Sequence, residues 1–224
     1  MCGIIGYTGS EDVKGVLLDA LELLEYRGYD SAGIALADTG LKQTKVYKCA
    51  GRVKDLRAIC ESEKLITECG IGHTRWATHG GVNDTNAHPH QVGKVTLVHN
   101  GIIENYRELI ADYELESVLK SETDSEVVAA LLNKFYTGDP DEAIKKTVSK
   151  LKGTFALVIL FEDHQGEIYS VRNVSPIVAT LCKEGAMLAS DLTALCRFTN
   201  RYFVVPEYHI LKLAKDAIVL KDFN

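Results

Sequence analysis

The sequence lacks three features that would each point to a class of protein. It has no uninterrupted apolar run of the ~20 residues that a membrane-spanning helix needs. Its first residues, MCGIIGYTGSEDV, contain no basic region of the kind that opens a secretory signal. Positive charge is not in excess, because 25 Lys and Arg stand against 31 Asp and Glu in 224 residues, a formal net charge of −6. Nucleic-acid-binding proteins usually carry a basic surplus, so we expect neither a membrane nor a nucleic acid as a partner.

Cysteine occurs six times, but no two cysteines are spaced as C-x-x-C. That spacing is typical of zinc ribbons and thioredoxin-like redox sites, so both classes are disfavoured. A chain of this length without a secretory signal usually keeps its thiols reduced in the cytosol. We therefore expect a cytoplasmic protein in which five cysteines are small buried hydrophobes. The exception is Cys2, which carries both a thiol and the α-amino group once Met1 is removed.

The composition is that of an ordinary globular protein, with 46% hydrophobic and 25% charged residues. At roughly 150 residues per domain, the length allows one large domain or two small ones. Apolar residues at helical spacing, and short apolar or alternating runs, predict the elements. The predicted helices are 11–26, 53–62, 124–136 and 140–152. The predicted strands are 3–8, 34–37, 44–49, 70–77, 94–99, 154–161, 167–172, 176–181, 186–190, 201–205, 209–214 and 217–220.

The order of these elements predicts the fold class. Strands, then helices, then many strands without crossover helices favour an α+β fold of two packed, mostly antiparallel sheets with helices on the outside. Ser10 is a candidate cap for the first helix and Gly28 a candidate left-handed residue after it. Thr123 is a candidate cap for the third helix, and Pro140 suits the first turn of the fourth. Residues 78–93 are rich in Gly, Pro, His and Asn and predict a long loop, a common place for function.

Cys2 is a candidate nucleophile because of its position. Gly3 leaves room beside it, and the strand that follows would hold the thiol on rigid backbone. A cysteine thiol is little ionised at neutral pH and needs a base, a role open to an α-amino group with a pKa of about 7.7–8.0. The alternative is that Met-Cys-Gly simply opens a strand.

Residues 73–80, HTRWATHG, run from a predicted strand into the long loop. The planar guanidinium of Arg75 matches the two oxygens of a carboxylate, and the hydroxyls of Thr74 and Thr78 suit polar recognition. The alternative is a surface arginine beside Trp76, the only tryptophan, packed in the core.

The histidines offer a metal-binding alternative. H-x-H at 88–90, together with His73, His79 and His99, resembles a zinc site, but no cysteine or acidic ligand lies at an established spacing. Histidines making ordinary hydrogen bonds are favoured, and we expect no metal and no cofactor.

Two further motifs each have a structural and a chemical interpretation. Asn100-Gly101 is either a turn or a pair of oxyanion donors, an amide side chain and a close backbone N–H. Residues 121–124, SETD, fit helix capping, or one of their acids faces a pocket and holds an ammonium group.

Six blocks in this order resemble one family: CGIIG at 2–6, YRGYDSAG at 26–33, HTRWATHG at 73–80, NAHPH at 86–90, VHNGIIEN at 98–105 and SETD at 121–124. They are similar to the N-terminal glutaminase domain of glutamine–fructose-6-phosphate aminotransferases, which are class II glutamine amidotransferases. The resemblance spans essentially all of residues 1–224. It implies one N-terminal-nucleophile hydrolase domain, a four-layer αββα sandwich, in keeping with the predicted sheets.

The resemblance also implies the catalytic residues. Cys2 would attack the side-chain amide of glutamine, with its own α-amine as general base after loss of Met1. Asn100 and the N–H of Gly101 would form the oxyanion hole. The products would be ammonia and a γ-glutamyl thioester, which water hydrolyses to glutamate.

Five residues are implied as substrate contacts. Arg75 would bind the α-carboxylate of glutamine, with help from Thr78 and His79. Asp124 would hold the α-ammonium group, and Trp76 would lie at the ammonia exit.

The resemblance implies L-glutamine and L-glutamate as ligands and, in the full-length enzyme, a C-terminal sugar isomerase domain and a homo-oligomer. That domain would use the ammonia to convert fructose 6-phosphate into glucosamine 6-phosphate. Two alternatives remain open: the glutaminase domain of an amidophosphoribosyltransferase, and a non-catalytic glutamine-sensing module.

Overall fold

Thirteen strands form two antiparallel sheets in the computed structural model, which describes residues 2–63, 65–76 and 81–223. In chain order the strands are β1 (Gly3–Gly9), β2 (Ser31–Asp38), β3 (Gln43–Ala50), β4 (Thr67–Arg75), β5 (His90–Val92), β6 (Val95–Ile103), β7 (Gly153–Phe161), β8 (Ile168–Asn173), β9 (Val178–Cys182), β10 (Gly185–Ala189), β11 (Phe203–Val204), β12 (His209–Ala214) and β13 (Ala217–Asp222). The first sheet has seven strands in the order β11-β9-β10-β1-β4-β2-β3, and the second has six in the order β13-β12-β8-β7-β6-β5.

Helices cover the outer face of each sheet. They are α1 (Val13–Leu24), α2 (Val53–Cys60), α3 (Tyr106–Tyr113), α4 (Asp124–Phe135) and α5 (Pro140–Val148). Three short 3₁₀ turns lie at Glu25–Arg27, Glu116–Val118 and Leu192–Ala194. Buried residues of α1 and α2 pack on the seven-stranded sheet, and those of α4 and α5 pack on the six-stranded sheet. No helix among the described residues is long and apolar enough to cross a membrane.

A third apolar core lies between the two sheets. It joins Ile4 and Ile71 of the first sheet to Val98, Val158 and Leu211 of the second, all of them fully buried. Each sheet therefore buries both faces, one under helices and one against the other sheet. The predicted α+β arrangement of helix, sheet, sheet and helix is confirmed.

The helix ends agree only in part with the predicted caps. The hydroxyl of Thr123 accepts a hydrogen bond from the N–H of Glu126, and Pro140 lies in the first turn of α5, as predicted. The Ser10 prediction is wrong, because α1 begins after Asp12. The Gly28 prediction is also wrong, since its φ of 173° is extended backbone. A glycine is required at position 28 for lack of space, because a Cβ there would lie 2.6 Å from backbone atoms of Arg75 and Trp76.

Three other differences concern residues 81–113. Asn100-Gly101 is not a turn, because both residues lie inside β6 and pair with β7. The predicted loop contains the short edge strand β5, and α3 was not predicted. Leu109 is buried and Tyr106, Ile110 and Tyr113 are partly buried against the core, so the short helix does carry a stripe at helical spacing. Residues 77–80, which include Thr78 and His79, lie outside the described part of the chain.

Candidate active site

The starts of β1 and α4 and the end of β4 meet beside the interior of β6. Cys2 directly precedes β1, and Arg75 is the last residue of β4. Because Gly3 pairs with Thr74 across these antiparallel strands, Cys2 and Arg75 lie opposite each other. Asn100 lies on β6 in the facing sheet, and α4 begins at Asp124. Cys2, Arg75 and Asp124 line one narrow cavity.

The backbone fixes the nucleophile candidate closely. The N–H of Trp76 donates to the Sγ of Cys2 at 3.3 Å. A Cβ on Gly3 would lie 2.6 Å from Oγ1 of Thr74 and 2.7 Å from Leu24, so only glycine fits there. Thr74 is fully buried against Gly3, so the predicted role of its hydroxyl in polar recognition is wrong.

Burial raises the pKa of the Cys2 thiol, while the Trp76 N–H and the positive charges of Arg75 and Arg27 act in the opposite direction. Burial is the largest of these effects, so the resting thiol is protonated at neutral pH. A base must therefore take its proton before it attacks a substrate.

The carbonyl of Cys2 is held by two side chains. Nδ2 of Asn100 donates to it at 2.9 Å, and Nε of Arg27 donates at 3.3 Å. Arg27 is also paired with Asp191 at 2.6 Å. Sequence reasoning did not single out Arg27; its only signal was membership of the 26–33 block.

Asn100 and Gly101 present polar backbone and side-chain groups beside the thiol. Both line a second cavity together with Cys2, Arg27 and Ile102. Gly101 has a φ of +136°, and a Cβ there would meet the carbonyl oxygen of Thr154 at 2.0 Å. The position therefore requires glycine on two counts, conformation and space.

Opposite charges face the first cavity. Arg75 is only 6% exposed and donates to the carbonyl of Gly81 at 3.3 Å. Burial lowers its pKa, and Cys2, Asp30 and Asp124 counteract that effect. Asp124 accepts a hydrogen bond from the N–H of Ile103 at 2.7 Å. An arginine and an aspartate in one small cavity complement the carboxylate and ammonium of an α-amino acid.

Trp76 lines both cavities. It is 48% exposed, with its ring centroid 5.9 Å from that of Tyr29. The alternative of a surface arginine beside a core tryptophan is therefore wrong for both residues. Thr78 and His79 lie outside the described residues, and their roles stay predictions.

Four histidines form a buried cluster: His73, His88, His90 and His99. The first, second and fourth of them line the same cavity as Cys2, Arg75 and Asp124. Burial lowers the pKa of each, to about 3 for His73, so all four are neutral. They hydrogen-bond to Asn100, Thr123, Ser125 and one another. Among the described residues, no group of three or more His, Cys, Asp or Glu is placed to hold a metal ion. The hydrogen bonds of the four histidines favour the interpretation that they make ordinary hydrogen bonds over that of a zinc site.

A further pair supports the loop beside Arg75. Asn86 is 1% exposed, and its Nδ2 donates to the Gly81 carbonyl and to Oε2 of Glu122, both at 3.1 Å. The N–H of Glu122 donates back to Oδ1 of Asn86 at 3.0 Å. The same Gly81 carbonyl accepts from Arg75, so the pair steadies the arginine. Sequence reasoning missed this role, for which no spacing rule exists.

A family model described as a glutamine amidotransferase domain matches residues 73–197, more than half of the chain. Two stacked antiparallel sheets between helical layers form the fold of N-terminal-nucleophile-hydrolase-like amidotransferases. The chain belongs to the glutamine amidotransferase domain family.

Two curated relatives carry the same name, glutamine–fructose-6-phosphate aminotransferase (isomerizing). The protein from Bacillus subtilis is 42% identical over 228 residues, and that from Staphylococcus epidermidis is 43% identical over 229 residues. Each alignment covers 100% of this chain and 38% of the relative. The chain therefore spans well under half the length of these relatives.

A solved structure has the same fold at lower identity. Glutamine phosphoribosylpyrophosphate amidotransferase from B. subtilis, in complex with ADP and GMP, superposes with a TM-score of 0.84. The match is 24% identical and covers 100% of this chain and 49% of that one. This relationship confirms the predicted sandwich and makes the amidophosphoribosyltransferase alternative a distant one.

Proposed function

We propose that this domain hydrolyses the side-chain amide of L-glutamine to L-glutamate and ammonia. The observation that carries the proposal is the shared cavity of Cys2, Arg75 and Asp124, which joins a thiol to groups of both charges. Glutamine has an amide at one end and an α-carboxylate and α-ammonium at the other. Its two ends match the two kinds of group in the cavity.

Substrate binding rests on the charged wall. Arg75 pairs with the α-carboxylate through its two-pronged guanidinium, and Asp124 binds the α-ammonium. We assign Thr78 and His79 to the carboxylate as well, on the resemblance alone. The side-chain amide then reaches Cys2, where the peptide of Trp76 holds the sulfur.

The chemistry follows in two steps. The α-amine of Cys2, free once Met1 is removed, takes the thiol proton as sulfur attacks the amide carbon. One N–H of Asn100 already binds the Cys2 carbonyl, and the second N–H on the same Nδ2, with the N–H of Gly101, receives the oxyanion. The protonated α-amine then gives this proton to the amide nitrogen, and collapse of the intermediate breaks the C–N bond and releases ammonia. Water cleaves the resulting γ-glutamyl thioester to glutamate and free thiol.

The larger context is part of the same proposal. Residues 1–224 form one glutaminase domain of a longer, homo-oligomeric enzyme whose C-terminal isomerase domain transfers the ammonia to fructose 6-phosphate. The names and the 38% coverage of the relatives support this assignment. Trp76, exposed beside both cavities, is then the residue at the ammonia exit. A cytoplasmic location is supported by six cysteines that are all unpaired.

The test is glutamate release from L-glutamine by the 224-residue chain. We expect turnover only in molecules whose intact mass lacks the initiator methionine. Cys2→Ala should abolish turnover, and Cys196→Ala, at an exposed cysteine outside both cavities, should leave it unchanged. Glutamine binding without turnover in processed protein would favour the glutamine-sensing alternative instead.

A further inference from the structure

His73 lines the cavity that it shares with Cys2, Arg75 and Asp124, and it hydrogen-bonds to Asn100. Its imidazole is 1% exposed, and Nε2 lies 3.0 Å from Oδ1 of Asn100 and 3.2 Å from the carbonyl oxygen of His99. A backbone carbonyl can only accept a hydrogen bond. Nε2 of His73 must therefore carry the hydrogen and donate it.

The ring of His73 is held in that tautomer. Burial lowers its pKa to about 3, so the ring is neutral and carries one N–H. It stacks on His88, with centroids 4.2 Å apart and an interplanar angle of 16°. Nδ1 of His88 accepts from the backbone N–H of His99 at 3.2 Å. The stacked pair thus hydrogen-bonds to both the backbone N–H and the backbone carbonyl of His99, the residue directly before Asn100.

The consequence concerns the orientation of the Asn100 amide. With Oδ1 accepting from His73, the NH₂ group faces the carbonyl of Cys2, to which it donates at 2.9 Å. Rotation of the amide by 180° would set NH₂ against the Nε2–H of His73 and Oδ1 against the Cys2 carbonyl. Both contacts would then be repulsive, so one orientation is selected.

We infer that His73 is a positioning residue for amide hydrolysis, acting through Asn100 to keep the N–H donors of that side chain turned toward the oxyanion. The inference rests on the proposed function, since it assumes that an oxyanion forms at Cys2. In this role the imidazole acts through its hydrogen bond to Oδ1 of Asn100. Its loss should therefore act on the same step as loss of Asn100.

The test compares two variants of His73. His73→Phe keeps a ring to stack on His88 but removes the N–H, whereas His73→Gln retains a donor. Loss of one oxyanion donor typically lowers kcat about 10²–10³-fold, so we expect His73→Phe to lose up to that much with little change in KM. His73→Gln should recover most of the lost kcat.

A double-mutant cycle separates positioning from a merely structural role. In an Asn100→Ala background, His73→Phe should lower kcat no further, because residues acting as a unit are not additive. Independent, multiplicative losses would overturn the inference, as would an effect confined to KM or a failure of His73→Gln to exceed His73→Phe. If His73→Phe does not fold, the smaller His73→Leu takes its place in the cycle. Absence of turnover in the processed wild-type chain would instead contradict the proposed function.

Discussion

The backbone N–H of Trp76 donates a hydrogen bond to the sulfur of Cys2 across 74 residues of sequence. The bond exists because β1 and β4 are neighbours and pair Gly3 with Thr74. One strand end thus supplies the thiol, and the next supplies a donor that favours its ionised form. Gly3, which follows Cys2, and Arg75, which precedes Trp76, lie beside this contact.

Arg75→Lys should weaken glutamine binding and leave kcat less affected. An ammonium is a point charge and cannot reproduce the two parallel bonds of a guanidinium to a carboxylate. A hydrogen bond to a charged group is worth about 1.5–3 kcal/mol, so we expect KM to rise by roughly tenfold to a hundredfold. Steady-state kinetics measures this, with Arg57→Lys, an exposed arginine paired with Asp19 and Glu22, as the matched control. An unchanged KM would remove the carboxylate-binding role.

Asn100→Ala should be severe but not total. It removes one oxyanion donor, an effect of about 10²–10³ in kcat, while Gly101 keeps the other. KM should change little, because the amide acts on charge that develops only in the transition state. Glutamate release at saturating glutamine measures the loss. A variant as active as wild type would contradict the role of Asn100.

Gly101→Ala should cost more than a glycine replacement elsewhere. Its φ is +136° and the added methyl would lie 2.0 Å from the Thr154 carbonyl, whereas Gly138 has a φ of +113° and nothing within 4 Å. Gly138→Ala therefore isolates the backbone strain, about 1–3 kcal/mol of unfolding free energy, and should keep kcat. Gly101→Ala should lose more stability and nearly all turnover. Equal denaturation midpoints for the two variants would show that the clash is relieved at no cost.

Stability should fall steeply in mild acid. The pKa values of His73, His88, His90 and His99 are lowered by burial, so these rings stay neutral in the folded chain and become protonated in the unfolded one below about pH 6.5. The unfolded state then binds more protons than the folded state. The contribution of these histidines to the free energy of unfolding is therefore fully present above pH 6.5 and is lost as the pH falls below it. Each such histidine contributes about 1.4 kcal/mol per pH unit once it is protonated in the unfolded chain.

Chemical denaturation at a series of pH values between 7 and 5 measures this slope. Four groups together approach the whole stability of a typical domain, about 5–15 kcal/mol, within two or three pH units. His90→Gln removes one of the four and should reduce the proton uptake on unfolding by about one. A flat profile from pH 6.5 to 5 would show that the cluster is protonated, or open to water, in the folded chain.

Local sequence signals predicted much of the fold. Apolar residues at helical spacing located α1, α4 and α5, and Thr123 and Pro140 marked two helix starts correctly. The helix α3 was not predicted, although Tyr106, Leu109, Ile110 and Tyr113 form a short stripe at helical spacing within its eight residues. Asn100-Gly101 carried a turn signal, yet tertiary pairing with β7 keeps both residues in a strand. Propensity is a weak prior when long-range pairing competes with it.

The sequence by itself determined the candidates for chemistry: a thiol at Cys2, an arginine and an aspartate as charged ligands, and an Asn-Gly pair. These candidates could be identified from residue types, their order along the chain and the family resemblance, without knowledge of the tertiary structure. Only the tertiary structure decided that Arg27 holds the Cys2 carbonyl, that Asn86 steadies the loop beside Arg75, and that His73 orients Asn100. The contacts of Arg27 and His73 join elements that are distant in sequence or lie in different sheets, and Asn86 also bonds to Glu122, 36 residues away. They arise from strand register and sheet packing, which depend on the burial of the whole core.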